Sequence, residues 1–206
     1  MMTGEGLDLD GRAVQPGGRQ PAPGTLALAQ AYINSFFDLE GEWGADLFDT
    51  PDRLSGWLSV RRLLPAGTAL RDRDRTRAVA VREGLRGLAA GNNDASPELV
   101  ATSLAEVNRA AAGARVEVLL EPDGPRFTAT GNGLDRALGV VLAVTGTAML
   151  DGTWQRLKSC PGHDCGWAFY DHSRNQTGRW CSMSVCGGRA KARAHYQRRR
   201  EEDGGR

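Results

Sequence analysis

Cys160-Pro161-Gly162-His163-Asp164-Cys165 and, after fifteen intervening residues, Cys181-Ser182-Met183-Ser184-Val185-Cys186 decide how the end of this chain folds. Zinc takes four tetrahedral ligands, and thiolates two to four residues apart form a knuckle that supplies two of them. The interval between the pairs matches a hairpin that lays one pair over the other. Gly166-Trp167-Ala168-Phe169-Tyr170-Asp171 alternates like a strand, and Asn175-Gln176-Thr177-Gly178 supplies a turn. The chain has four cysteines, and this pattern uses them all. Four thiolates fill a zinc shell and leave no open position for water or substrate, so the expected metal is one structural Zn²⁺ on Cys160, Cys165, Cys181 and Cys186.

Other uses of these cysteines fit less well. Glu5, Asp8 and Asp10 stand where an export signal would need an apolar run, so a reducing compartment is expected, where metal binding is favoured over disulfides. Neither pair has the two-residue spacing of a redox dithiol. His163, inside the first knuckle, is the alternative ligand; His172 and His195 have weaker claims.

Beyond the second pair runs Gly187-Gly188-Arg189-Ala190-Lys191-Ala192-Arg193-Ala194-His195-Tyr196-Gln197-Arg198-Arg199-Arg200, where alanines alternate with long cations and favour helix. A knuckle, a hairpin and a helix that starts at the second ligand pair make a treble-clef-like order. Residues 156–200 hold ten Lys and Arg against Asp164 and Asp171, about +8; the whole chain is +1, which leaves about −7 elsewhere. Arg174, Arg179, Arg189, Lys191, Arg193, Arg198 and Arg199 are the candidate nucleic-acid contacts, since clustered cations neutralise phosphates and arginine reads guanine edges. Ala190, Ala194 and Tyr196 are expected to face the hairpin, and Trp167, Phe169 and Trp180 to form the module's small core.

Working back from the cysteines, the body reads as mainly helical with one β-hairpin, so the fold class is α+β. Residues 1–23, rich in Gly and Pro, read as a disordered leader. Leu26, Ala29, Ile33, Phe36 and Phe37 recur at helical spacing. Thr50-Pro51 reads as N-cap and first residue of a second helix, with Leu54, Trp57, Leu58 and Leu64 inward and Pro65 as its stop. A third helix covers 75–90, with Val79, Val81, Leu85 and Leu88 inward. Ser96-Pro97 opens a fourth, with Leu99, Leu104 and Val107 packed. Strands at 115–120 and 126–130 flank Glu121-Pro122-Asp123-Gly124-Pro125. A long helix is expected from 134 to 157, leading straight into Cys160. The domains are thus a leader at 1–23, a body at 24–155, the zinc module at 156–200 and a disordered tail at 201–206. The longest apolar run, 138–150, is 13 residues, short of the roughly 20 that span a bilayer, so no membrane association is expected.

Together these residues carry a family resemblance. The string Cys160 to Asn175, followed by Arg179-Trp180-Cys181 through Cys186-Gly187-Gly188-Arg189, resembles the CGNR zinc finger, a family regarded as DNA-binding. Gly188 stands where that family has asparagine, which implies a difference at the helix start or in recognition. Leu26 to Phe37 with Asn34, Asp49 to Leu58, and Val107-Asn108 resemble the ABATE domain, described as a stress-induced transcription regulator. The excess of arginine over lysine (24 to 2) suits a bacterial source, and the lack of an export signal a cytoplasmic place. The resemblances cover residues 25–200 and imply a DNA-binding regulator. Its N-terminal domain would take an effector or protein partner that the resemblance does not name, with a second copy of the chain as a further candidate partner.

The alternative is a zinc-stabilised adaptor for RNA or protein. An enzyme is not expected: all three histidines lie in the finger, and no P-loop, nucleotide fingerprint or Gly-x-Ser-x-Gly occurs. Glu40, Glu42, Asp46 and Asp49 read as surface or capping acids. Asn34, Trp43 and Trp57 read as packing residues before pocket residues.

Overall fold

A computed structural model describes residues 18–37 and 45–204. The elements run α1 (Leu26–Ile33), β1 (Phe36–Phe37), β2 (Ala45–Asp46), α2 (Pro51–Val60), α3 (Asp72–Gly91), α4 (Pro97–Ala110), β3 (Arg115–Glu121), β4 (Gly124–Thr130), α5 (Gly133–Leu150), β5 (Leu157–Ser159), β6 (Ala168–Tyr170) and α6 (Gly188–Gly204). The strands form three separate antiparallel pairs, β1–β2, β3–β4 and β5–β6. A mainly helical body followed by a small cysteine module is therefore the observed α+β architecture.

Local chemistry sets most element ends. Thr50 and Ser96 accept from the amides of Arg53 and Leu99, each just before a first-turn proline, as N-caps should. The third helix starts at Asp72, three residues earlier than expected, because the Asp74 carboxylate accepts the Arg71 amide at 2.9 Å and stabilises the first turn.

The second helix ends at Val60, before the Pro65 stop that the sequence suggests, and three more expected helices differ. The first stops at Ile33, and Phe36–Phe37 pair with Ala45–Asp46 as strands instead of continuing it. Arg86 of α3 donates to the carbonyls of Ile33 and Phe36 at 2.6 and 2.8 Å, so those oxygens serve a guanidinium rather than a further helical turn. The last body helix ends at Leu150, not 157: Asp151 accepts from Thr153, and Gly152 takes φ +81°, a left-handed stop. In α4, Leu99 and Leu104 are 47% and 49% exposed, and the buried face is Ser103, Val107 and Ala110. That face is small because α3 opposes it with Gly84, Gly87 and Gly91; a Cβ on Gly87 would collide with Ser103 Oγ, and one on Gly91 would lie 2.6 Å from Val100. The glycines let the two backbones approach, and bulky Leu99 and Leu104 are left at the flank.

The core gathers Tyr32, Ile33, Leu54, Leu58, Val81, Leu85, Leu138 and Val141 from α1, α2, α3 and α5, with Phe48 from the turn between β2 and α2. Tyr32, Phe48 and Trp57 meet edge to face at 5.3–5.7 Å between centroids, a favoured aromatic geometry. By length and composition alone α5 could cross a membrane, but its Leu134, Ala137, Leu138 and Val141 are buried in this core, which accounts for its apolarity.

Asp46 is not a surface acid. It accepts from Arg82, 2% exposed, at 2.6 and 3.2 Å, and from the Phe48 amide at 2.8 Å. Burial works against its charge, but these hydrogen bonds outweigh it and hold its carboxyl below the usual range. Asp49 pairs with Arg53 at the surface. Glu40, Glu42 and Trp43 lie outside the described residues.

Candidate metal centre

Strand β6 has two faces, and they belong to two cores. Ala168 and Tyr170 enter the core of the body together with Leu157 and Trp154, whereas Trp167 and Phe169 pack with the four cysteines. This is the period-two alternation of a strand used to weld the metal module onto the helices.

Polar contacts seal the same seam. Asn34, the C-cap of α1, donates to the Ala168 carbonyl and accepts the Ala168 amide, both at 2.8 Å, and Gln30 adds a bond to the same carbonyl. After α3, Asn92 donates to the Trp154 and Leu157 carbonyls, and Asn93 to those of Ser159 and Arg179, all at 2.8 Å. Arg86 reaches the Gly166 carbonyl at 2.6 Å. Residues 18–22, assigned from sequence to the leader, also take part. Arg19 donates to the Cys181 and Trp180 carbonyls at 2.7 and 2.9 Å and lies 4.8 Å from the Phe169 ring centroid. Ala22 is buried and bonded to Gln30.

The hairpin is placed differently from the expectation. Its arms are β5 and β6, paired Leu157↔Tyr170, Lys158↔Phe169 and Ser159↔Ala168, so it encloses the first cysteine pair. Between 171 and 181 no strand forms. The reason is Lys158, whose ammonium is buried and takes Asp171 Oδ2, the Gln176 carbonyl and the Gly178 carbonyl at 3.0, 2.5 and 3.0 Å. Those carbonyls coordinate a cation and are lost to a ladder. Burial pushes the Asp171 carboxyl up, but bonds from Ser173, Lys158 and Gly178 prevail and hold it at about 2.

The four cysteine sulfurs are buried, free of disulfides, and all within 4.8 Å of one another. Cys165–Cys181 and Cys181–Cys186 are 3.6 Å apart. A tetrahedral site with Zn–S near 2.3 Å requires S···S separations of about 3.8 Å, so the donor set fits one zinc ion. The first knuckle is tied by Cys160 N to Trp167 O at 2.9 Å and Cys165 N to Gly162 O at 3.1 Å. Gly162 passes so close that a Cβ would sit 3.1 Å from Cys186 Sγ. His163 stays outside: its side chain is 65% exposed and its Nδ1 faces the Asp164 carboxylate.

Without a cation, such crowding allows one thiolate and penalises the others. Hydrogen bonds from Cys165 and Cys181 draw Cys160 down to about 2. Its bond to Cys160 pushes Cys165 up to about 12. Cys181 is raised by its bonds to Cys160 and Cys165, and Cys186 by burial. A bound divalent cation reverses this penalty, because it favours the thiolate form of every ligand.

Ser182 caps the second knuckle by accepting the Val185 amide at 3.3 Å, and a π turn over Met183–Gly187 delivers the chain into α6. Gly188 is already helical, φ −63° and ψ −45°, so the position where asparagine was expected is part of the helix and is not its cap. Arg174, Arg179, Arg189, Lys191, Arg193, Arg198 and Arg199 are all exposed. Six of them surround the module or line α6; Arg179 leans back toward Asp94 at 3.8 Å and over Trp180. Tyr196, expected to face the hairpin, is 72% exposed; the side of α6 turned toward the first knuckle carries Ala190, Arg193 and Gln197 instead. The helix also continues through residues 201–204, assigned from sequence to the tail. Between the first knuckle and α6 lies a cleft of about 250 Å³ lined by His163, Trp180, Arg189 and Arg193 among others.

Comparison with protein families agrees with this geometry. The model of the CGNR zinc finger matches residues 156–199. The ABATE model, described as putative stress-induced transcription regulator, matches residues 26–152, more than half of the chain. No curated protein matches.

Proposed function

The chain belongs to the ABATE family and carries a CGNR zinc finger, and from that premise we propose that it binds duplex DNA as a cytoplasmic transcription regulator. The observation that carries the reading is α6: a seventeen-residue helix that starts at the metal module and exposes Arg189, Lys191, Arg193, Arg198 and Arg199. A helix with so few apolar residues gains little from packing, and its exposed cations complement the charge of a phosphate backbone. The cleft beside Arg189, Arg193 and His163 has room for a phosphate. Zinc's part is structural: it fixes the start of α6 against the knuckle. The body, through the Asn34, Asn92 and Asn93 bonds, passes any change in its own state to the finger.

The test is duplex binding by the zinc-loaded chain across a salt series. Log affinity should fall linearly with log salt, at about 0.9 per phosphate contacted, and Arg189→Ala/Arg193→Ala should weaken binding and flatten the slope. Sequencing of DNA recovered with the protein from cells would name its targets. Absence of binding to any duplex would remove the reading. The exposed Tyr196 and Met183 beside these cations favour a second one, an adaptor for RNA or protein, which the same assay with single-stranded RNA detects.

A further inference from the structure

Strand β3, Arg115-Val116-Glu117-Val118-Leu119-Leu120-Glu121, is exposed along its whole length, with Val118 at 54% and Leu120 at 87%. Among the described residues its only strand partner is β4. Such an apolar open edge invites another strand. We propose that β3 pairs with β3 of a second copy of this chain, antiparallel and centred on Val118, to make a four-stranded sheet across a two-fold axis. This stands on β3 alone and is independent of DNA binding.

The choice of edge follows from Pro125. It sits opposite Leu120 and has no N–H. A proline is tolerated where the pair is not hydrogen-bonded within the ladder, and the two-residue turn that closes on Glu121 and Gly124 makes Leu120–Pro125 such a pair. The peptide groups of Val116, Val118 and Leu120 therefore point away from β4, where a new strand can take them. On the opposite edge Pro125 removes a donor, so β4 is the poorer template.

Charge selects the partner and the register. With Val118 opposite its own copy, Arg115 faces Glu121 of the second copy twice over, Val116 faces Leu120, and Glu117 faces Leu119. Sliding two residues either way places Glu117 opposite Glu117 or opposite Glu121, and like charges directly opposite are destabilising. Val116, Val118 and Leu120 share the face of Phe127 and Ala129, their cross-strand neighbours or near neighbours, so the centred register also joins two half-exposed apolar surfaces. Glu121 already meets Arg126 at 2.7 Å, yet an exposed carboxylate has acceptor sites for a second arginine. Seven paired residues bury less than the roughly 1,200 Å² of a tight complex, so the association is expected in the micromolar range.

Sedimentation of the zinc-loaded full chain, from low micromolar to several hundred micromolar, should show a reversible monomer–dimer equilibrium. Arg115→Glu sets glutamate against Glu121, and Glu121→Arg sets arginine against Arg115, so each alone should raise the dissociation constant at least about tenfold. An equal mixture of the two variants should recover the dimer, because each copy then complements the other at both ends. Circular dichroism confirms that both variants fold. A wild-type chain that remains monomeric throughout overturns the proposal, as does Arg115→Glu associating as tightly as wild type. A mixture no tighter than its components overturns the register.

Discussion

Asn34 and Ala168, 134 positions apart, hold each other by two hydrogen bonds of 2.8 Å, one in each direction between a side-chain amide and a peptide group. Both residues are buried. Asn34→Ala leaves the Ala168 amide without an acceptor in the seam between body and finger, at a cost of about 1–3 kcal/mol. Urea unfolding should show a lower midpoint, while zinc content stays at one per chain. If the midpoint does not move, the seam contributes less than its geometry indicates.

How much of this was legible beforehand differs between the two parts. Thr50-Pro51, Ser96-Pro97 and the Glu121 to Gly124 turn announce their elements because each acts on its own neighbours in sequence. The four cysteines were legible because zinc demands a fixed ligand count and spacing. The seam was not. Asn92 and Asn93 look like ordinary helix-end residues, and their carbonyl partners at Trp154, Leu157, Ser159 and Arg179 lie more than sixty residues away. Lys158 likewise reads as one more surface cation until its three acceptors are seen. The stop at Asp151-Gly152 is readable, but the long apolar run of 138–150 before it masks the signal.

Metal removal should act on the finger first. The chain should carry one zinc, and Cys181→Ser, which deletes a fully buried sulfur, should abolish it. Chelation should erase the near-ultraviolet signal of Trp167 and Phe169, which pack on the ligands. Cys165, held at about 12 without metal, and the raised Cys181 and Cys186 must each lose a proton on binding. Apparent zinc affinity should therefore be weaker at pH 6 than at pH 8; a flat profile would count against a four-thiolate site.

The pair Lys158–Asp171 is 7% and 1% exposed. Asp171→Asn leaves a buried ammonium without its counter-charge, a loss of about 3–5 kcal/mol at neutral pH. The sign with pH follows from the carboxyl being held at about 2 against an ordinary 3.8. Its contribution, about 2 kcal/mol, is fully present above the ordinary value and disappears as pH falls toward 2. The stability gap between wild type and variant should thus be constant from pH 8 to pH 5 and narrow in stronger acid. A gap that widens there would contradict the assignment.

Gly87→Ala tests the approach of α3 to α4. The added methyl group collides with Ser103 Oγ and lies 2.8 Å from its Cβ. Alanine would otherwise gain about 1 kcal/mol in a helix interior, but overpacking costs about 1–3 kcal/mol or more. Thermal unfolding should show net destabilisation. Gly87→Ala combined with Ser103→Gly, which removes the obstacle, should recover part of the loss.

Gly188 is where this chain departs from the resemblance that first suggested DNA binding, and the structure separates two consequences of that departure. Its backbone is helical, and a Cβ there would meet only the Met183 carbonyl at an ordinary 3.6 Å. Gly187 is the constrained neighbour, where a Cβ would lie 2.8 Å from Met183 Sδ. Gly188→Asn should therefore fold, keep its zinc and change stability by less than about 1 kcal/mol, whereas a bulky residue at 187 should displace Met183. The asparagine side chain would emerge on the exposed first turn of α6, beside Arg189. Any change in duplex affinity or sequence preference in the Gly188→Asn variant, at unchanged melting temperature and metal content, would then come from contact with the partner. Loss of zinc in that variant would show instead that glycine is needed for the fold of the knuckle.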